Sequence, residues 1–269
     1  METGQEMNKN VAPIASLVVM TLTIGVISSA SAQEFSHSFR TTNFEVKHQP
    51  GISETDARKT SDYLEQDYSY IRKTVGIDLE ARPEVRIYES DQKFAKATGE
   101  RNSSRGALSK RGIMHVKPVA KLESENRFAQ VLSYELAVLV LDHAVQRGCP
   151  QWLVQSFGVY HSGKMVDLTP PTGRTVRYFS DLDQDIQEYP DPPRRQEVEY
   201  LLGTTMKFLV EKLGEEKAFS IFMKFDGTAT VEEVFSSLSG QEYASIEKEW
   251  SSFIVREVGE FPADGKKDK

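Results

Sequence analysis

Apolar and polar positions along the first half of the chain form short runs that predict a mixture of strands and helices. Residues 44–48 alternate and predict a first strand, and residues 85–88 predict a second. Between them, Ser53 with Asp56 three residues on has the spacing of a capping-box helix start. Apolar residues then recur at every third or fourth position from Leu64 to Val75, which predicts an amphipathic helix that ends at Gly76. The first half of the chain therefore combines strands with at least one long helix.

A brief helix over residues 90–98 comes next, and then two further apolar runs. These runs, at 106–108 and 112–116, are separated by the polar residues 109–111, which predicts a β-hairpin. The following pattern predicts a long helix over 123–143, whose centre is apolar on every side and is therefore expected to be buried.

Another helix is predicted over 151–160, before the pattern loses its period. Residues 164–195 hold five prolines and many acidic residues, so we interpret them as a long, lid-like loop with a boundary near Pro193. The acidic run in this segment lacks the glycine and the bidentate glutamate of a calcium loop and is expected to be solvated. It consists of Asp181, Asp183, Asp185 and Glu188.

The last part of the chain is predicted to be helical, with helices over 197–213, 215–225, 230–238 and 241–258. The fold class is therefore α+β, a small mixed sheet with helices followed by a mainly helical C-terminal part. We divide the chain into a first part over 33–195, a helical part over 196–260 and a tail over 261–269 that is expected to be disordered.

The N-terminus has the pattern of a secretory signal. Residues 11–27 are apolar, follow Lys9 and lead into a run of serine and alanine, which predicts a signal peptide over 1–32 cleaved after Ala32. The protein is then exported, to the periplasm or the outside of the cell. The apolar stretch is at the short end for a spanning helix, so retention as a membrane anchor stays an alternative.

Charge and cysteine content narrow the class further. The 33 basic and 40 acidic residues give a formal net charge of −7, which disfavours nucleic acid as a partner. The single cysteine, Cys149, cannot form an internal disulfide and is expected to be a small packed side chain rather than a nucleophile. The scattered histidines include no pair spaced four apart on a predicted helix, which disfavours a relocated zinc site built on His143.

Two adjacent predicted helices carry a resemblance to a known family. Residues 133–139, Ser-Tyr-Glu-Leu-Ala-Val-Leu, are similar to the His-Glu-x-x-His helix of the gluzincin, or peptidase-MA-like, metallopeptidases, in which two histidines bind zinc and the glutamate is the general base. Residues 150–160 resemble the family's Pro-x-Trp-Leu-x-Glu helix, whose glutamate is the third ligand. The resemblance implies that Glu135 is a vestigial general base, with degenerate ligand positions at Tyr134, Val138 and Gln155.

This resemblance implies a thermolysin-like architecture and a place for a ligand. In the family, the strand before the zinc helix lies at the sheet edge and pairs with an extended peptide, so a peptide can add to that edge without any metal. The binding residues implied are Gly112, Ile113, Met114, His115 and Val116. Gln155 is expected either to bond Glu135 or Tyr134 or to be an exposed amide.

We therefore expect an exported, catalytically inactive metallopeptidase homologue without a cofactor, which binds a peptide, a protein or a cell-envelope component. The alternative is an active metallopeptidase with non-standard ligands such as Asp142, zinc as its cofactor and Glu135 as its base. A third possibility is a purely structural role. An open groove at Glu135 and Gln155 would favour binding, whereas a groove filled by Tyr134 and the 164–195 segment would favour the structural role.

Overall fold

The computed structural model describes residues 34–79, 81–100, 105–168, 170–171, 178–188 and 194–258. The signal segment and the C-terminal tail lie outside these residues, so the calls made for them stay predictions. Five strands form one sheet in the order β1-β2-β3-β5-β4. They are β1 His37–Arg40, β2 Glu45–His48, β3 Glu84–Ile87, β4 Ala107–Lys110 and β5 Ile113–Val116.

The sheet is mixed, which fits an α+β fold. Strands β2, β3 and β5 run parallel at its centre, and β1 and β4 pair antiparallel at its two edges. Strand β1 is absent from the sequence prediction, because its residues are mostly exposed and carry no clear alternation. Strands β2 and β3 bury alternate residues, as Val46 and Val85 illustrate, whereas β5 buries Met114, His115 and Val116 in succession.

Ten α-helices accompany the sheet in the described residues, most of them towards the C-terminus. They are α1 Glu54–Val75, α2 Asp91–Thr98, α3 Val119–Ser124, α4 Phe128–Gln146, α5 Gln151–His161, α6 Phe179–Glu188, α7 Arg194–Leu213, α8 Glu215–Ser220, α9 Val231–Ser239 and α10 Tyr243–Val258. Short 3-10 helices follow α5 and α8, at Lys164–Asp167 and Ile221–Lys224.

Helix α1 follows the sequence prediction closely because its ends are chemically marked. The hydroxyl oxygen of Ser53 accepts a hydrogen bond from the Asp56 amide at 3.0 Å and caps the first turn. At the other end, Gly76 has φ 75°, a left-handed conformation that glycine adopts without steric cost. The apolar side, including Leu64 and Ile71, is fully buried against the sheet side of the core.

The hairpin is confirmed, but its turn lies further along than predicted. Arg111 and Gly112 both have positive φ, 54° and 73°, which is the pattern of a tight two-residue hairpin turn. Residues 109 and 110, expected in the turn, belong to β4, and Lys110 pairs with Ile113 across the turn. The prediction placed the turn by polarity, and the backbone requirement for positive φ decides its position instead.

The helix predicted over 123–143 is two helices. Asn126 has φ 54° between α3 and α4, and this left-handed residue breaks the helical hydrogen-bond ladder. Helix α4 alone is long and apolar enough to span a membrane within the described residues, with 71% of its most apolar window buried inside the fold. Its packing against the sheet, α1 and α5 accounts for that composition.

The segment predicted to be a lid-like loop over 164–195 contains helix α6. Its acidic residues are only partly solvated, because Asp185 is buried and the Asp183 carboxylate accepts the Trp152 amide at 2.9 Å. The expectation of a solvated acidic loop is therefore wrong for these two residues. Phe179 of α6 stacks on Trp152, with ring centroids 4.8 Å apart, and anchors the segment in the core.

Candidate functional site

Glu135 lies on the face of α4 that meets the edge strand β4. Its Oε2 accepts a hydrogen bond from the Ser109 amide at 2.7 Å, and its main-chain carbonyl accepts one from the Ser109 hydroxyl at 2.8 Å. These two bonds fix α4 to β4 at one point. Only 4% of Glu135 is exposed, so the carboxylate is held inside the fold.

Burial has the largest effect on the ionisation of Glu135. It raises the pKa of this carboxyl group above its ordinary value, although nearby positive charges and the Ser109 amide act in the opposite direction. The charges come from Arg105, Arg195 and Lys164. Glu135 is therefore a buried acid surrounded by cations.

The three positions that the resemblance assigns to zinc ligands do not fit a zinc ion. The Tyr134 hydroxyl donates a hydrogen bond to the Gln155 side-chain oxygen at 3.3 Å, so the first and third positions bond each other. Val138 has no donor atom and packs against the core. A neutral phenol, an alkyl group and an amide do not supply the imidazole and carboxylate ligands that a zinc site uses. Burial raises the pKa of Tyr134 strongly, which keeps the phenol protonated.

A cluster of three charged side chains, from the 3-10 helix after α5 and from α7, lies against Tyr134 and Glu135. Glu199 on α7 accepts a hydrogen bond from Arg195 at 3.0 Å, and its other oxygen is 2.6 Å from Lys164 Nζ. Lys164 Nζ also lies 5.3 Å from the centre of the Tyr134 ring, a cation–π geometry. Burial lowers the pKa of Lys164, whereas Glu199 and Glu135 favour its charged form.

Two adjoining cavities meet at this cluster. The first, about 30 Å³, reaches Tyr134 and Glu135 and has room for little more than a water molecule. The second is a cleft of about 420 Å³ on the other side of Lys164 and Arg195. Its lining includes Arg127, Gln130, Lys164, Asp167, Arg195 and Glu199. The groove at Glu135 is thus filled by Tyr134 and by Lys164 and Arg195 of the 164–195 segment, the arrangement expected for a structural role and not for binding at Glu135 itself. The open space lies beside it.

The strand that the resemblance placed at the sheet edge is an inner strand. β5 holds Ile113, Met114, His115 and Val116 and lies between β3 and β4, so it has no open side for a peptide. Gly112 is in the hairpin turn. The edge belongs to β4, where the amide of Ser109 is already bonded to Glu135. The edge-strand prediction is therefore wrong for 112–116, because the order of strands in a sheet depends on contacts that the local pattern does not specify.

Two further candidates from the sequence are a metal site that includes histidine and a cysteine nucleophile. No group of three or more His, Cys, Asp or Glu in the described part of the chain could hold a metal ion, and the His143 side chain lies outside that part. Cys149 is buried, and burial raises the pKa of its thiol, which suits a packed side chain and not a nucleophile.

Lys164, Arg195 and Glu199 were not recognised as site residues from the sequence. A signal for two of them was present, since Arg195 and Glu199 are four residues apart on a helix whose neighbouring positions, such as Val198 and Leu202, are apolar and buried. A charged pair at that spacing within an apolar run indicates a buried ion pair.

No family model and no curated protein matches the chain. Among solved structures, the M1 zinc metallopeptidase of Deinococcus radiodurans, solved with a Tyr-Ser-Ala substrate, matches with a TM-score of 0.41 and 13% identity. The match covers 86% of this chain and 53% of that structure, so the chain spans about half of its length. Function therefore has to be inferred from the side chains of the site itself.

Proposed function

We propose that this chain is an exported, non-catalytic binding protein that holds the carboxylate end of a peptide or of a peptide-like envelope component in the 420 Å³ cleft. The observation that carries the proposal is the position of Lys164 and Arg195. These two cations share one carboxylate, Glu199, and line both the cleft and the small cavity at Glu135. They separate Glu135 from the open space and place two positive charges beside one carboxylate, although the cleft wall as a whole carries three basic and three acidic side chains.

The surroundings of Glu135 support a role without catalysis. A general base must reach the proton that it removes, either directly or through one water molecule. The Glu135 carboxylate is instead buried and bonded to the Ser109 amide, and the residues at the ligand positions do not fit zinc. Strand addition at Ser109 would displace this carboxylate, so we place the ligand in the charged cleft.

The binding proposal is tested by calorimetry with N-acetyl-trialanine and its C-terminal amide. We expect the free acid to bind at least about tenfold more tightly, because a charge-assisted hydrogen bond contributes about 1.5–3 kcal/mol. Lys164→Met should remove most of that preference while leaving Arg195 to pair with Glu199. The matched control is Lys217→Met, which removes an exposed lysine on α8. Equal binding of acid and amide would contradict the proposal.

The alternative, an active metallopeptidase with Glu135 as its base, makes the opposite prediction for zinc. Elemental analysis of the purified full-length protein should find substoichiometric zinc if our proposal is right. Stoichiometric zinc, together with cleavage of a peptide library that is lost in Glu135→Gln, would establish the alternative.

Export belongs to the same proposal, since residues 1–32 have the pattern of a signal. N-terminal sequencing of protein recovered from outside the cytoplasm is expected to begin at Gln33. A retained N-terminus in the membrane fraction would instead indicate an anchor.

A further inference from the structure

A third cavity lies between α1, α5 and α8 and has no part in the site described above. Its volume is about 450 Å³, and its lining is mainly aromatic with one acidic residue. The lining comprises Tyr63, Gln66, Asp67, Tyr70, Thr74, Phe157, Tyr160, His161 and Phe219. It shares no residue with the two cavities at Glu135.

Asp67 and His161 form a pair at the wall of this cavity. Asp67 Oδ1 is 2.9 Å from His161 Nε2, and the imidazole ring lies parallel to the rings of Tyr70 and Phe157, at 5.4 and 5.5 Å. These two parallel ring contacts help to hold the histidine in place. The pair therefore presents a fixed carboxylate to the cavity.

The second oxygen of this carboxylate is not satisfied by the described part of the chain. Asp67 Oδ2 is buried and has no hydrogen-bond partner there, although 13% of the Asp67 side chain is still exposed. A buried acceptor without a donor is costly, and the cost is greater when the acceptor is charged. A donor from a bound molecule would relieve it once the carboxylate turns this oxygen towards the cavity.

The remaining surroundings favour a positively charged donor. Tyr63, Tyr70 and Tyr160 offer aromatic rings, whose faces attract cations. Glu211 and Glu215 lie close enough to Tyr160 to act on its ionisation: burial raises the pKa of this phenol most, and the two carboxylates raise it further. The cation nearby is Lys207, which is paired with Glu257 at 2.6 Å.

We infer that this cavity binds a molecule with a primary ammonium group on an aromatic or apolar body, with the ammonium group donating to Asp67 and the body lying against Tyr70 and Tyr160. A quaternary ammonium group has the charge but no N–H donor for the carboxylate. A neutral alcohol has the donor but no charge. A quaternary ammonium ion and a neutral alcohol can therefore be used to separate the contribution of the hydrogen bond from that of the cation–π interaction.

The experiment is a calorimetric titration of the full chain with phenethylammonium, 2-phenylethanol and phenyltrimethylammonium. We expect phenethylammonium to bind at least about tenfold more tightly than the other two, because a charge-assisted hydrogen bond adds about one to two powers of ten in affinity. Equal binding of the alcohol, or a preference for a neutral sugar such as glucose, would overturn the inference.

Variants assign the effect to the cavity. Asp67→Asn should weaken phenethylammonium binding about tenfold, whereas Asp62→Asn, which alters an exposed carboxylate earlier on the same helix, should leave it unchanged. If Asp67→Asn unfolds, Tyr70→Leu serves instead, because 52% of Tyr70 is exposed and the fold does not depend on its burial. Tyr70→Leu should weaken binding severalfold. Wild-type affinity in Tyr70→Leu would overturn the inference.

Discussion

Glu135 joins helix α4 to the sheet through a buried carboxylate. The carboxylate accepts the Ser109 amide and fixes α4 to the sheet, and burial raises the pKa of Glu135. The folded state therefore holds the Glu135 proton more tightly than the unfolded chain does. The resulting contribution to stability is fully present below the pKa of the unfolded chain and is lost as the pH rises through the raised pKa.

Glu135→Gln removes this titration while keeping an oxygen that can accept the Ser109 amide. We expect the free energy of unfolding of the variant to increase relative to that of the wild type as the pH rises from below 4.5, the ordinary pKa of the group, to about 8. Urea unfolding across this range measures the difference. A difference that is independent of pH would contradict the buried position of the carboxylate.

His115 titrates in the opposite sense. Burial, assisted by Arg86 and Lys110, lowers the pKa of His115 to about 4, and the Tyr88 hydroxyl lies 2.7 Å from its Nδ1. Since the unfolded chain binds this proton near pH 6.5, acid favours unfolding over the window from pH 6.5 down to 4.

The His115 contribution to this acid sensitivity is about 3 kcal/mol, from a shift of about two and a half pKa units. His115→Gln should therefore show a flatter dependence of the unfolding free energy on pH between 7 and 4. Parallel curves for the variant and the wild type would indicate that His115 is not held neutral in the fold.

At the scale of elements, local signals determine some features and long-range contacts the others. The ends of α1 and α9 could be predicted because capping groups mark them, including the reciprocal Thr230 and Glu233 capping box. The order of the strands could not be predicted, because β5 and β4 differ little in their pattern of apolar and polar residues. Only the contacts within the sheet make β4 an edge strand. Helix α6 was missed because prolines and acidic residues around it obscure its apolar side, Phe179 and Leu182.

The pair α5 and α7 packs closely at a glycine. A Cβ atom on Gly203 would lie 2.3 Å from Met165 Cγ and 2.8 Å from Val159 Cγ1, well inside normal contact. Helix propensity alone favours alanine over glycine by about 1 kcal/mol. Overpacking typically costs about 1–3 kcal/mol, so we expect Gly203→Ala to lower the free energy of unfolding despite its better propensity.

A double-mutant cycle distinguishes this contact from a general effect of the substitution. Met165→Ala in the Gly203→Ala background should recover part of the lost stability, measured by urea unfolding, because it removes the nearest clashing atoms. Strict additivity of the two changes would show that the helices separate instead of competing for the space at Met165.

At the scale of the whole molecule, the candidate site could be predicted in part. The contact between Tyr134 and Gln155 follows from two adjacent helices and was among the expected possibilities. That Lys164 and Arg195 are the side chains that close the groove could not be predicted. These two residues are separated by a long segment of chain, and only the packing of α7 on α5 brings them onto one carboxylate.

The division into a first part over 33–195 and a helical part over 196–260 has a consequence for unfolding. Residues of both parts belong to one continuous hydrophobic core, in which the Phe179 ring contacts those of Trp152 and Trp250, with centroids 4.8 and 4.4 Å apart. If one part unfolded alone, this shared apolar surface would be exposed to water at a large cost in free energy. We therefore expect both parts to unfold in a single cooperative transition.

Native-state hydrogen exchange tests this expectation by comparing amides of β3 and β5 with amides of α7 and α10. Under conditions that report global opening, the slowest amides of both groups should give the same free energy of opening and the same dependence on denaturant. Trp250→Ala, which removes a fully buried ring and its hydrogen bond to Thr205, should lower both together by about 3–5 kcal/mol. Loss of protection in α7 and α10 alone would instead establish two domains with a boundary near Pro193.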